Sequence, residues 1–336
     1  MMEIFTELSG RRLLDAAPAW AGLQAAADAG IVDALLSGAD TSHGLADRLG
    51  LDSRATELVL GVLLAYDLVS ATEDGLFTAS DELHRYDEEA PGGVGFHLRL
   101  CGHAPAFLRS GAPLVAMDGT AGQRGDAYKK VAGALRQVFE APARTTAVAL
   151  SPVRGRVLDV GAGSGVWSLA VAEANPGVQV TALDLPEVVP LFRAEAAAWG
   201  LAGDVDVLAG DYHAVTVPKG VYDLVIVGNV LHLESAPRAR SLLARLWSAL
   251  APGGRLVVID ALSSGTTARS RIRALYALML AIRTRRGTVH RRGDVERWLK
   301  ELGATEVRAL TAAGEMPGSG LTDVIVAAAP GRETVP

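Results

Sequence analysis

The chain has a single cysteine, Cys101, among 336 residues, so it can form no intrachain disulfide and build no thiolate metal cluster. That usage fits a reducing compartment. Aromatic residues make up only 5%, which argues against a pocket lined throughout by stacking rings. Excess positive charge is also missing: 32 Lys and Arg stand against 38 Asp and Glu, a formal net charge of −6. Broad attraction to nucleic acid or anionic lipid is therefore not expected; one local basic stretch (Arg283, Arg285, Arg286, Arg291, Arg292) runs against the trend. No uninterrupted apolar run approaches the roughly 20 residues that span a bilayer. Met1 to Asp15 lacks the basic-then-apolar order of a secretory leader. These absences together predict a cytoplasmic protein with a small-molecule partner, no nucleic acid and no membrane.

What is present is ample core material, 49% hydrophobic residues, in a length comfortable for two domains. From Ala16 to about Leu150 apolar residues recur at helical spacing, as in Leu58, Val62 and Tyr66. From Val157 the pattern changes. Short β-branched runs (Arg156–Val160, Gln179–Leu183, Val205–Leu208, Leu224–Val227, Arg255–Ile259, Thr305–Leu310, Asp323–Ala328) alternate with helical stretches, which predicts an α/β, doubly wound sheet. Pro142, Pro152 and Gly155 bracket the change, so the expected division is a helical domain over 1–150 and an α/β domain over 151–336.

Within the first domain, Thr41–Leu49, Ser53–Tyr66 and Leu68–Thr78 with its Glu73-Asp74-Gly75 turn read as two helices and a two-stranded wing. A DNA-reading helix needs several cationic or amide donors, and the stretch 53–66 offers Arg54 alone as a cation. A structural or dimerisation role is the better reading, ahead of a cofactor-binding regulator that performs no chemistry. The alanine-rich Ala16–Leu36 is apolar around much of its circumference, which suggests burial against a partner subunit in a homodimer. The stretch Gly92–Gly111 is a candidate substrate lid.

The strongest local signal is Val157-Leu158-Asp159-Val160-Gly161-Ala162-Gly163-Ser164-Gly165, a buried strand turning through three alternate glycines into a helix. Strand, turn and helix stand in the order of a nucleotide-binding crevice. A dinucleotide site spaces its glycines G-x-G-x-x-G and directs N–H groups at a pyrophosphate; here the spacing is tighter, and Asp159 would repel phosphate. S-adenosylmethionine has no phosphate and carries cations that a carboxylate stabilises. Asp184 ends the second strand, where it can accept ribose hydroxyls. Asp211 follows the third, where it can accept the adenine amino group while Tyr212 lies against the ring.

Three acidic residues after three successive strands make the chain resemble the class I methyltransferases. More narrowly, it is similar to the caffeate- and acetylserotonin-like O-methyltransferases, with their many bacterial natural-product tailoring members. The resemblance runs from about Asp15 to Ala329. It implies a seven-stranded Rossmann-like sheet behind a helical, winged-helix-like domain that dimerises and covers the substrate. It carries Asp159, Gly161, Gly163 and Gly165 to the methionine end of S-adenosylmethionine, Asp184 and Leu185 to the ribose, Asp211 and Tyr212 to the adenine, and Asn229 to the same pocket. His232, in Val227-Gly228-Asn229-Val230-Leu231-His232, matches the family's general base, although Leu233 replaces the aspartate that commonly follows. The family's two acidic partners to the base fall near Asp260 and near His290; the second is a histidine here. The implied catalytic set is His232, Asp260 and His290, and the implied reaction is methylation of a hydroxyl on an aromatic or polyketide-like intermediate. Histidine suits the role because its ordinary pKa of roughly 6.5 lets it accept a proton at cellular pH. The two histidines also raise a second possibility: with Glu234 or Asp260 they would hold a divalent metal for C-methylation of a 2-oxo acid.

Overall fold

The β-branched runs after Val157 pair into one sheet; those in its middle are apolar on both faces, the composition of a strand covered by helices above and below, while the two at its edges carry Asp206, Glu306 and Arg308 on exposed positions. The computed structural model describes residues 10–84, 94–263, 268–310 and 322–331. The chain divides into two compact units between His103 and Ala104.

The first unit contains α1 (Gly10–Asp28), α2 (Ile31–Ser37), β1 (Asp40–Thr41), α3 (Ser42–Leu49), α4 (Ser53–Ala65), β2 (Val69–Ala71), β3 (Leu76–Ala79) and α5 (Asp81–His84). Helices α3 and α4, each started by a side-chain cap from Thr41 or Asp52, precede a small antiparallel sheet in the order β1-β3-β2. This is the expected winged-helix-like unit, with β1 as a third strand in addition to the wing. The stretch Ala16–Leu36 is two helices rather than one, broken at Gly30, whose φ of 80° ends the first. Its apolar residues Leu23, Ala26, Ile31, Val32 and Leu35 are buried with Leu45, Leu60 and Leu63 of the same unit. Burial within its own unit therefore accounts for most of the apolar character assigned above to a partner. Exposed large apolar residues of this unit lie instead on and just after α4, at Leu58 (63% exposed), Leu64 and Tyr66, and at Leu76 on β3. Of the candidate lid, Gly92 and Gly93 lie outside the described residues; the remainder forms α6 (Val94–Ser110) and Gly111.

The second unit begins its core with α7 (Ala121–Leu150), started by a capping box between Thr120 and Gln123. There follow β4 (Arg156–Val160), α8 (Val166–Ala174), β5 (Gln179–Asp184), α9 (Val189–Ala198), β6 (Val205–Ala209), β7 (Tyr222–Gly228), α10 (Ala236–Trp247), β8 (Leu250–Asp260), α11 (Ala268–Arg283), α12 (Arg292–Glu301), β9 (Glu306–Leu310) and β10 (Asp323–Ala328). The seven strands take the order β6-β5-β4-β7-β8-β10-β9, and β10 alone runs against its neighbours β8 and β9. The expected domain boundary near 150 is corrected here: Ala143, Ala147 and Leu150 of α7 share a core with Leu169 and Ala170 of α8, so α7 belongs with the sheet. Strand order reverses between β4 and β7, and a crevice opens there at the carboxyl ends of the strands.

Candidate active site

Every candidate site residue lies in the second unit, at or just past the carboxyl end of a strand. After β4 the chain turns through Gly161 (φ 66°) and Gly165 (φ 74°), backbone conformations that residues with a Cβ rarely hold. The space is closed as well: a Cβ at Gly161 would lie 2.7 Å from Val230 Cγ2, and one at Gly165 would lie 2.5 Å from Phe192 Cε2. Gly163 N donates to Asp184 Oδ2 at 2.7 Å, and Leu185 N donates to Asp184 Oδ1 at 2.7 Å. Asp184 thus ties the ends of β4 and β5 together. Burial raises its pKa, a shift these two N–H groups and Arg124 oppose.

A pocket opens over this turn, walled by Gly161–Ser164, Asp184, Leu185, Tyr212 and the segment Gly228–Val230 with Leu233. Arg124, Tyr128 and Trp167 also line it. Asn229 holds a left-handed φ of 57°, costly for a residue with a side chain. It is fixed there because its N–H donates to Ile259 O at 2.7 Å and its Oδ1 accepts from Trp167 Nε1 at 3.1 Å. Arg124 bonds Asp211 and lies over the Tyr212 ring at 5.1 Å. It is 7% exposed, and its Nε is buried without a hydrogen-bond partner among the described residues.

Asp159, like Gly165 and Asp211, is not among the residues that wall this pocket. Successive strand residues face opposite sides. Leu158 and Val160 join the core cluster on one face of the sheet, while Val157 joins the other with α8. Asp159 follows Val157 toward α8. It is 1% exposed, and its Oδ2 accepts the Ser168 hydroxyl at 2.5 Å. Burial lifts its pKa to about 7 despite the Ser168 hydroxyl. The contact with the methionine end implied by resemblance is therefore replaced by an anchor beneath the glycine turn.

His232 sits in a 3-10 turn, Leu231–Leu233, directly after the pocket-lining Gly228–Val230. Its Nδ1 lies 2.7 Å from Asp260 Oδ1 at the end of β8, and its backbone N donates to Asp260 Oδ2 at 3.1 Å. A carboxylate only accepts, so Nδ1 carries the proton and the lone pair of the neutral ring is on Nε2. Sequence resemblance implied a base with one acidic partner replaced; the structure supplies an orienting carboxylate in Asp260 itself. The Tyr276 ring stands edge-on to His232 at 5.7 Å, and the Arg283 guanidinium lies over the Tyr276 ring at 5.3 Å.

His290 does not join the pair. Its Nε2 donates to Leu231 O at 2.9 Å, its carbonyl accepts from Ser263 N, and its ring meets Trp298 edge-on. The residue is a strut beneath the turn that carries His232. The 2-oxo-acid reading needed both histidines to present nitrogens to one ion. Among the described residues no group of three or more His, Cys, Asp or Glu is arranged to hold a metal. Glu234 is committed to Tyr212, His213 and Arg238. The basic stretch is also largely engaged within the fold: Arg283 on Tyr276, Arg286 on Asp118 and Arg292 on Glu296.

Arg124, Tyr128, Trp167 and Tyr276 were not singled out in the sequence. Arg124 and Tyr128 are four apart on one helical face, a signal no stronger than that of any amphipathic helix.

Comparison with known proteins accords with this geometry. Residues 120–304 match the family model of the O-methyltransferase domain. The 3-hydroxy-5-methyl-1-naphthoate 3-O-methyltransferase of Streptomyces sahachiroi is 27% identical over 308 residues, covering 85% of this chain and 86% of that protein. The tetracenomycin polyketide synthesis 8-O-methyl transferase of Streptomyces glaucescens is 26% identical, covering 83% and 86%. Human N-acetylserotonin methyltransferase, solved in complex with SAM, has the same fold: TM-score 0.66, 21% identity, 96% of this chain and 99% of that one. The chain thus belongs to the O-methyltransferase domain family and is an S-adenosylmethionine-dependent methyltransferase.

Proposed function

We propose that the chain methylates a hydroxyl group of a small aromatic or polyketide-like acceptor, with His232 as general base and Asp260 as the group that orients it. The observation that carries this reading is the His232 Nδ1–Asp260 Oδ1 hydrogen bond of 2.7 Å. The names of the naphthoate and tetracenomycin relatives support the acceptor class.

The pocket residues fit the cofactor. Glycine N–H groups and positive-φ turns allow close backbone approach, each Asp184 oxygen keeps a second lone pair, and Arg124 Nε is a buried donor awaiting an acceptor. Gly161, Gly163 and Gly165 shape the turn beside it, Asp184 and Leu185 take the ribose, Asp211 and Tyr212 the adenine, and Asn229 closes the wall. When bound, S-adenosylmethionine supplies an electrophilic methyl group on its sulfonium. His232 Nε2 takes the acceptor hydroxyl proton, so that the oxygen attacks as an anion, and Asp260 stabilises the imidazolium that results. Tyr276 packs against the imidazole and limits its rotation.

The same reading assigns homodimerisation to the first unit. The groove lined by Pro18, Leu58, Val62 and Tyr66 exposes more apolar side chain than an isolated surface requires. A cytoplasmic location agrees with the fact that no helix among the described residues is long and apolar enough to cross a membrane. The test of activity is transfer of a labelled methyl group from S-adenosylmethionine to a hydroxynaphthoate by the wild-type protein and by His232→Ala. Product from the wild type and its loss in the variant are expected; equal product from both removes His232 from the mechanism.

A further inference from the structure

Glu234 is a carboxylate with 3% of its surface exposed, two residues past His232. A buried charge is retained only where several donors compensate its lost hydration. Here Oε1 accepts from Tyr212 Oη at 2.9 Å and from His213 Nε2 at 2.8 Å, and Oε2 accepts from Arg238 Nε at 2.6 Å. Burial alone would raise its pKa; the His213, Arg238 and Tyr212 bonds outweigh that and hold it at about 2.

The partners belong to two different places. Tyr212 is a wall of the nucleotide pocket, and its neighbour Asp211 is held by Arg124, another wall residue. Arg245 NH1 also donates to Tyr212 O at 2.9 Å, so α10 grips this segment through its backbone. Glu234 itself closes the turn: its N donates to Leu231 O at 3.0 Å, the same carbonyl that accepts His290 Nε2. One carboxylate therefore joins the adenine segment to the turn whose middle residue is His232.

We propose that Glu234 is a positioning residue, which transmits occupancy of the adenine end of the pocket to the turn bearing His232. This rests on the reading of His232 as the base. A ligand lying against Tyr212 restricts its ring; the hydroxyl, on the far side, then holds Glu234, and Glu234 restrains the turn. The coupling needs no displacement, only that ordering one end lowers the freedom of the other.

The experiment is hydrogen exchange of the 230–234 amides with and without S-adenosylhomocysteine, in the wild type, Glu234→Gln and Tyr212→Phe, with ligand affinity measured by calorimetry. A Gln carboxamide has one accepting oxygen and cannot serve Tyr212, His213 and Arg238 together. The ligand is expected to slow exchange about tenfold in the wild type and less than about twofold in the variants, while its Kd for Glu234→Gln rises less than about fivefold. A merely structural role would alter exchange in the free proteins and leave the ligand-dependent increment intact. Equal slowing in the wild type and Glu234→Gln overturns the proposal. So does ligand binding without any slowing in the wild type, which leaves the function reading standing; no binding at all overturns both. If Glu234→Gln does not fold, Tyr212→Phe decides by the same criterion.

Discussion

Asp260 holds His232 twice: Oδ1 receives the ring at Nδ1, 2.7 Å away, and Oδ2 receives the peptide N–H, 3.1 Å away. Ring orientation and backbone position of the proposed base thus depend on one carboxylate, itself steadied by Ala261 N at 2.8 Å. Asp260→Asn keeps the shape but removes the demand for a proton on Nδ1, so the wrong tautomer becomes accessible. Turnover should fall on the order of 100-fold or more, with S-adenosylhomocysteine affinity within about twofold of wild type. Steady-state kinetics with calorimetry checks both; an unchanged kcat would exclude the orienting role.

Asp184 organises the pocket through bonds to Gly163 and Leu185. Replacing it with Ala removes both acceptors and the proposed ribose contact, and cofactor affinity should fall roughly 10- to 100-fold, about one to two hydrogen bonds to a charged group. Wild-type affinity in Asp184→Ala, measured by titration with S-adenosylhomocysteine, would contradict the ribose assignment.

Gly161→Ala combines a left-handed φ with a Cβ 2.7 Å from Val230 Cγ2. The strain should cost about 1–3 kcal/mol, read as a lowered midpoint in urea unfolding. Because Val230 also lines the pocket, cofactor binding should weaken in parallel. A variant as stable as wild type would show that the turn has room it does not have here.

Asp159 gives a pH dependence whose sign follows from its raised pKa of about 7. The folded state binds its proton more tightly than the unfolded chain, whose carboxyl titrates near 3.9. Stability from this group is therefore complete below about pH 4 and declines as pH rises toward 7. Asp159→Asn cannot ionise, so its melting temperature relative to wild type should increase between pH 5 and pH 8. A difference independent of pH would mean that Asp159 does not titrate in that range.

The sheet was legible because its strands carry their own signal. All seven apolar runs read from Arg156 onward correspond to β4 through β10, with shifts of a few residues at most apart from the earlier start of β8. The placement of the glycine turn, Asp184 and His232 at one edge of the sheet was legible for a related reason: each lies at or just past a strand end, where local sequence and position in the fold coincide. What was hidden depends on distance along the chain. Arg124 meets Asp211 from 87 positions away, and nothing near either residue announces the other. Asp159 was misassigned because strand alternation, which decides the face its side chain takes, was outweighed by its place next to the glycines. His290 was aligned with a catalytic partner, but its ring is used to support Leu231 O. The helix α7 was cut from its domain because helical periodicity does not say which neighbour a helix will choose.

The register of β7 and β8 pairs Gly228 with Ile259, so the loop bearing His232 and the strand end bearing Asp260 leave the sheet side by side. The alignment of base and carboxylate is inherited from backbone hydrogen bonds in the middle of a parallel sheet. Around them, exposed positions of α11 such as Leu275 and Leu278 can change without retuning that alignment, whereas Tyr276 on the same helix meets the His232 ring. In this arrangement the proposed proton-transfer pair is fixed by the sheet, and the walls facing the acceptor are fixed by other elements.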